Sequence, residues 1–566
     1  MRPWILGNTS VRSAMRLRDG LVALANSKME GNIRGREGDI CFRNILGDAG
    51  VVSLGRDATY SVGRKWRSAL SKLGFLYPPL PKNLRIDQEM LGPADTITPN
   101  GRRLVEATSV PAMQECFLRA MAAYFIPSAL EKYEYKIFSP LRHVLRVLLE
   151  LEKVSGSSRL NFIEMAVIVQ LTSSADSLPD IVQQILTLRS RRELSENKRG
   201  FDAQVKSRAR RLHQYVESTF GDYADTNFRY LKATGLVLSK GKGITIAPER
   251  RVFIEQLVGD ENAPSAPIDF FQPLCNGAEL PTDNVDTGLI VLNDLAEQAK
   301  SRGIEVVKKE HLKEVADISA ARHEIEELLR DNNEDEFAAQ QAAAWMEIAE
   351  YLDLLGQRTG KKKGGDDNDI SIPRDEMPAY FEWILWRAFL AIDSLVVPPK
   401  LTRGFNVDQD FRPVGTAKGG APDLTFEFED FVLVVEVTLT EGPRQEVAEG
   451  ESVRRHVASK AKTTDKPVYG LFLANNIDLN TADQFHRGLY YQEGSQVSVT
   501  IIPVTVQQFK QFFSALFENN AVSVMRVRTL IEQCAHLREG CDAPGWKSRI
   551  GDAIVDSVAE SRRAAV

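Results

Sequence analysis

Hydrophobic residues recur along the chain with two periods, and the change from one to the other divides it. In SVGRKWRSALSKLGFL, residues 61–76, Trp66, Leu70 and Leu73 share one helical face, while Arg64, Lys65, Arg67 and Lys72 fall elsewhere on the helix. DICFRNILGDAG, just upstream, reads as a shorter helix, and further helices are predicted around 139–153, 160–172 and 179–192. TGLVLSKGKGITIAP then places two short β-prone runs on either side of SKGKG, which predicts a small hairpin. Residues 287–357 return to helical spacing amid Glu, Ala and Gln. Beyond them MPAYFEWILWRAFLAI is a helix apolar on nearly every face, LTFEFED alternates like a half-buried strand, and FVLVVEVTL is β-branched and apolar enough for a core strand. RQEVAEGESVRRHVASK reads as a helix that follows this strand.

These patterns cut the 566 residues into four segments, within the range expected from length alone. Helices ahead of a basic hairpin suggest winged helix-turn-helix units, one in segment 1–135 and a second in 136–258. Residues 259–286, rich in Pro, Asn, Asp and Gly, read as an irregular connection, and 259–371 as a largely helical linker. GKKKGGDDNDIS at 360–371 is expected to be a solvated loop. Segment 372–566 holds the strand patterns. The expected fold class is multidomain α+β, with a mainly helical N-terminal half, a helical linker and a C-terminal α/β domain.

Charge sharpens this division. The whole chain has 71 Lys and Arg against 77 Asp and Glu, but residues 1–258 carry 39 against 26, leaving the remainder strongly acidic. From Arg64 to Arg85 there are six basic residues and no acidic one, and residues 189–211 hold nine basic and three acidic side chains. Such clusters suit phosphate contacts, with Arg64, Lys65, Arg67, Lys72, Arg208, Arg210, Arg211 and the hairpin lysines Lys240 and Lys242 as candidates. The alternative is a solvated helix face. No apolar run is long enough to span a membrane, and five cysteines without a CxxC pair argue against disulfide scaffolds and zinc ribbons. A cytoplasmic protein that binds double-stranded DNA is the expectation.

The acidic half carries the candidate chemistry. Asp423 stands at the entrance of the first strand and Glu436 lies within the second, so a hairpin would bring the two carboxylates together. Like charges held close need a cation, and Mg²⁺ suits oxygen ligands, with the carbonyl of Val437 as a third. This is the PD…(D/E)xK pattern of metal-dependent nucleases, with Thr438 where lysine is usual. Glu451 has Arg455 at i+4 and reads as a surface pair, whereas Glu449 has only Val453 and Gln445 at those spacings. Glu382 lies in an almost wholly apolar helix and needs a cation or a donor from another element. A core hydrogen bond is the alternative for Glu382 and Glu449.

Taken together, WILGNTSVR, GRKWRSALSKLGF, DYADTNFRYLKATGL, FEWILW, PDLTFEFEDFVLVVEVT and EGESVRRHV give the chain a resemblance to the AlwI family of type IIS restriction endonucleases, nicking enzymes among them. The resemblance implies an N-terminal recognition region, a helical linker and a C-terminal nuclease domain of the restriction-endonuclease fold. It places the catalytic acids on Glu382, Asp423, Glu436 and Glu449; in the resulting mechanism Glu449, through Gln445, is expected to orient the attacking water or to hold a second ion. It further implies Mg²⁺-dependent hydrolysis a few base pairs to one side of an asymmetric site, a cognate DNA methyltransferase, and possible dimerisation through the nuclease domain. A non-enzymatic winged-helix regulator with a degenerate nuclease domain is the rival reading.

Overall fold

The computed structural model describes residues 2–52, 54, 60–84, 86–259, 262–307, 312–361 and 370–564. Arg85 and most of the 360–371 loop lie outside them. The chain forms two compact units, Met1–Arg330 with Asp408–Asp410, and Asp331–Val407 with Phe411–Val566. Each has its own apolar core. Among the described residues no helix is long and apolar enough to cross a membrane.

In the first unit the helix Ser61–Lys72 buries Trp66 and Leu70, with Leu73 just beyond its end, as its periodicity predicts. It crosses the helix Gly35–Asp48 so closely that a Cβ on Gly63 would meet the carbonyl of Asp39 at 2.0 Å. Among the described residues this region holds no paired strands, only the isolated bridges Leu76–Ile97 and, at its end, Ile126–Phe138. Among the described residues the first of the two expected winged units therefore shows no hairpin. The second region does. Strands β1 (Leu160–Asn161), β2 (Val237–Ser239) and β3 (Gly243–Ile246) form an antiparallel sheet in the order β1-β3-β2. The helix expected at 160–172 instead opens on β1, followed by the short helix Phe162–Val167. Gly241 turns the β2–β3 hairpin with φ 58°, a conformation that disfavours a side chain.

The stretch 259–371 is not a separate linker. Its Pro-rich start contains the helix Pro267–Asn276, whose Phe270, Phe271, Leu274 and Cys275 are buried in the first core. Pro267 in the first turn removes only an N–H that had no intrahelical partner, so the proline did not preclude a helix. Ile318, Ile325 and Leu329 of the helix Val315–Ala339 also pack into the first core. Ile348, Leu352 and Leu355 of Trp345–Gly356 belong to the second. The segment is thus divided between the two units.

The second unit is built on a mixed sheet in the order β4-β5-β6-β9. Strand β4 (Leu424–Glu427) pairs antiparallel with β5 (Val432–Thr438), and β5, β6 (Val468–Ala474) and β9 (Thr500–Thr505) run parallel. A smaller hairpin, β7 (Leu489–Gln492) with β8 (Ser495–Ser498), precedes β9. Parallel neighbours need crossover connections, and the helix Pro443–Ala461 provides the one from β5 to β6. The apolar helix Met377–Ile392 packs on β4 and β5. Every residue of it but Pro378 is buried, which explains why its sequence shows no polar face.

Candidate active site

The β4–β5 register pairs Leu424 with Val435. Asp423, one residue before Leu424, and Glu436, one after Val435, therefore meet across the hairpin. The Val437 N–H donates to Asp423 Oδ2 at 2.9 Å, fixing that carboxylate against β5. Glu382 enters from the helix Met377–Ile392, and its Oε2 accepts the Ala417 N–H at 2.6 Å. It is 4% exposed, and burial, then the charges of Asp423 and Glu436, push its carboxyl up to about 10. Burial and the neighbouring Glu436 likewise raise Asp423 well above the usual carboxylate range, although the Val437 amide opposes the shift. Asp423 and Glu436 thus make ionisation of Glu382 harder, and Glu436 does the same for Asp423.

His456 was not singled out by the sequence, yet its Nδ1 lies 2.6 Å from Glu436 Oε1, and both side chains are buried. Its Nε2 is buried without a partner among the described residues. The signal was present, because His456 follows Glu449 by seven residues, two turns along one face of Pro443–Ala461. Glu449 is hydrogen-bonded to Thr438, and burial, opposed by that bond, raises its carboxyl. Glu451 pairs with Arg455 as its spacing predicts and also accepts from the Tyr490 hydroxyl at 2.8 Å.

Gln445 is placed differently from expectation. Its amide donates to the carbonyls of Thr440 and Asn476 at 2.8 and 2.9 Å, and its Oε1 accepts from the Asp478 N–H at 2.9 Å. The side chain is fully buried and holds together the segments that follow β5 and β6. It has no hydrogen left for a water beside Glu449.

Asp423 and Glu436, with Glu382 beside them, offer open carboxylate oxygens of the kind a hard cation takes. Asp423, Glu436 and Glu382 each have one oxygen held by a protein donor, while Asp423 Oδ1, Glu436 Oε2 and Glu382 Oε1 have no hydrogen bond among the described residues. No lysine or arginine is among the groups that shift Asp423, Glu382 or Glu449. Among the described residues no group of three or more His, Cys, Asp or Glu side chains is placed to hold a metal ion by itself. Mg²⁺ does not require such a group, since it usually takes one or two carboxylates and completes its shell with water and phosphate.

The basic candidates separate into two groups. Arg64, Lys65, Arg208, Arg210, Arg211, Lys240 and Lys242 are exposed. Arg67 and Lys72 are turned inward and committed. Arg67 pairs with Asp39 at 2.9 Å, beside Asp95, with its side chain 11% exposed. Lys72 Nζ pairs with Glu131 at 2.9 Å and donates to the Ile5 carbonyl at 3.0 Å. Burial lowers the Lys72 ammonium, against the pull of Glu131. Periodicity identified a polar helix face but not the N-terminal strand of chain that packs against it.

Among solved structures, the chain is similar to the small subunit of the heterodimeric restriction endonuclease R.BspD6I, at 26% identity over 36% of this chain and 97% of that one, with a TM-score of 0.29. The BpuJ1 endonuclease binding domain, in complex with pyrene- and phenanthrene-modified DNA, matches at 14% identity over 42% of this chain and 85% of that one, also with a TM-score of 0.29. No curated protein matches the chain. The profile of the AlwI restriction endonuclease family matches residues 71–512 and so takes in the whole acid cluster. On a match over most of its length, the chain belongs to the AlwI restriction endonuclease family.

Proposed function

We propose that the protein is a Mg²⁺-dependent type IIS restriction or nicking endonuclease, hydrolysing DNA phosphodiester bonds to one side of a short asymmetric site. The observation that carries this reading is the acid cluster at the β4–β5 hairpin, where three carboxylates each have one oxygen fixed and one open. Asp423 and Glu436, with the carbonyl of Val437, would hold Mg²⁺. Bound there, the ion would polarise the phosphate and acidify a water for in-line attack.

The protein's own residues set up that step. The Val437 amide and His456 fix Asp423 and Glu436, so neither carboxylate has to be ordered as substrate arrives. Glu449, whose proton affinity is raised by burial, is suited to accept the proton of the attacking water, or to hold a second ion. Glu382 adds a third carboxylate to the site. The sheet with its acids at the β4–β5 hairpin corresponds to a PD-(D/E)xK nuclease core with Thr438 in the lysine position. The helices ahead of β2–β3 correspond to a winged helix-turn-helix, which would direct the exposed Arg208, Arg210, Arg211, Lys240 and Lys242 to DNA. A cognate methyltransferase would protect host sites, and pairing of two nuclease units would be one route to cutting both strands.

The test is run-off sequencing of both strands after digestion in Mg²⁺, with Asp423→Ala in parallel. Breaks at a constant offset from one asymmetric site, abolished in the variant while DNA binding persists, are expected. Sequence-independent breaks, or normal turnover by Asp423→Ala, would refute the assignment. DNA binding without any cleavage would favour a regulator with a degenerate nuclease domain.

A further inference from the structure

The helix Trp345–Gly356 ends in a Schellman arrangement, with the Thr359 N–H donating to the Leu354 carbonyl and the Arg358 N–H to that of Leu355. The residue at the left-handed position of this cap is Arg358, with φ 51°. Glycine is the usual occupant, because a Cβ is penalised there. An arginine at that position gains the cap nothing, but its side chain makes contacts that a glycine could not.

The helix end is fastened to the carboxyl ends of two sheet strands. Asn475, just after β6, donates from Nδ2 to the Leu355 carbonyl at 3.0 Å. The Arg358 guanidinium reaches the segment just after β5, donating from Nη2 to the Leu439 carbonyl and pairing with Glu441 Oε1 at 2.9 Å. Leu439 follows Thr438, the residue that stands where this nuclease pattern usually has lysine and that is bonded to Glu449. Ligands of open α/β sheets bind beyond the carboxyl ends of the parallel strands, so the guanidinium stands on the side from which a phosphodiester would approach.

We propose that Arg358 grips the DNA backbone beside the reacting phosphodiester, supplying from a helix end the positive charge that position 438 does not. The inference rests on the nuclease reading above. The Arg358 side chain is 44% exposed, and that of its partner Glu441 42%. A pair that open to water is weakly held, and Glu441 is readily exchanged for a phosphate. The planar fork suits bidentate phosphate contact, and Nε and Nη1 have no partner among the described residues. Local positive charge is needed most in this acidic half, where the acid cluster alone would repel DNA.

The experiment uses the full-length chain with Arg358→Gly, Arg358→Gln and Arg358→Lys. Single-turnover cleavage of a supercoiled plasmid in Mg²⁺ is measured over a salt series, alongside the thermal unfolding midpoint. Glycine and glutamine should slow cleavage by about tenfold or more and flatten the salt dependence of the apparent KM by about one phosphate, with lysine intermediate. The glycine variant should unfold at the wild-type temperature or higher, because glycine adopts φ 51° without penalty. Wild-type rate and salt dependence in the glycine and glutamine variants would overturn the proposal. A lowered midpoint for the glycine variant would overturn it too, by making the side chain a structural clamp on residues 439–441. If the nuclease reading itself were at fault, the wild type would leave the plasmid uncut.

Discussion

Replacing Glu382 by glutamine should make the protein more stable and less active, and the gain in stability should grow with pH. Glu382 is almost fully buried, and its carboxyl is raised from the ordinary 4.5 to about 10, chiefly by burial and next by Asp423. A carboxyl with a raised folded pKa keeps a proton that the unfolded chain releases. Its contribution is therefore fully present below pH 4.5 and is lost as pH rises towards 10, by about 1.4 kcal/mol per unit. At pH 7 the loss reaches at most about 3.5 kcal/mol. Glutamine needs no proton and can still accept the Ala417 amide, so Glu382→Gln removes that loss. For a unit of this size the gain corresponds to roughly 7–14 °C in unfolding midpoint. The assay is thermal unfolding of both proteins in EDTA between pH 5 and pH 9, with plasmid cleavage in Mg²⁺ alongside. The midpoints should converge at the acid end and separate towards pH 9, while cleavage by the variant falls sharply. Added Mg²⁺ should narrow the gap by stabilising the wild type more. A variant less stable than wild type at pH 8, or a difference that does not change with pH, would refute the reasoning.

Three further outcomes can be checked. Glu449→Gln should impair cleavage severely while Glu451→Gln costs little, because Glu449 is tied to Thr438 and Glu451 sits in an exposed pair that contributes only tenths of a kcal/mol; equal single-turnover rates in the two folded variants would contradict this. Arg208→Gln should leave the unfolding midpoint alone and flatten the salt dependence of DNA binding by about one, whereas Arg67→Gln should destabilise by about 2 kcal/mol, since it uncouples Asp39; denaturant unfolding and salt titration of both variants separate the two roles. A fragment ending at Arg330 should fold and bind DNA without cutting, while one ending near residue 270 should be insoluble, because it loses Phe271, Leu274, Ile318, Ile325 and Leu329 from its core; expression and gel filtration decide this, and a soluble, monodisperse shorter fragment would count against the unit boundary.

What the sequence determined by itself was local, or carried in a short stretch of chain. The helix of Trp66 and Leu70, the β4–β5 hairpin, the hairpin at Lys240–Lys242 and the helix bearing Glu449 all follow from period, β-branching and turn glycines, which act within a few residues. The meeting of Asp423 with Glu436 was legible for the same reason, because a hairpin register is a short-range fact. The tertiary structure decided what depends on the packing of distant segments. Lys72 looked free until the Ile5 carbonyl and Glu131 were found beside it, and Gln445 looked available until Asn476 and Asp478 claimed its amide. The Pro-rich stretch after residue 259 looked like a linker because its prolines and polar residues outnumber the apolar residues of the helix Pro267–Asn276, yet Phe270, Phe271 and Leu274 had a core to enter. The Arg358 contacts with Leu439 and Glu441 arise only when a helix end and the segment after β5, some eighty residues apart, are brought within hydrogen-bonding distance. A side chain's solvation and partners belong to the space around it, and that space is filled by residues that local periodicity does not specify.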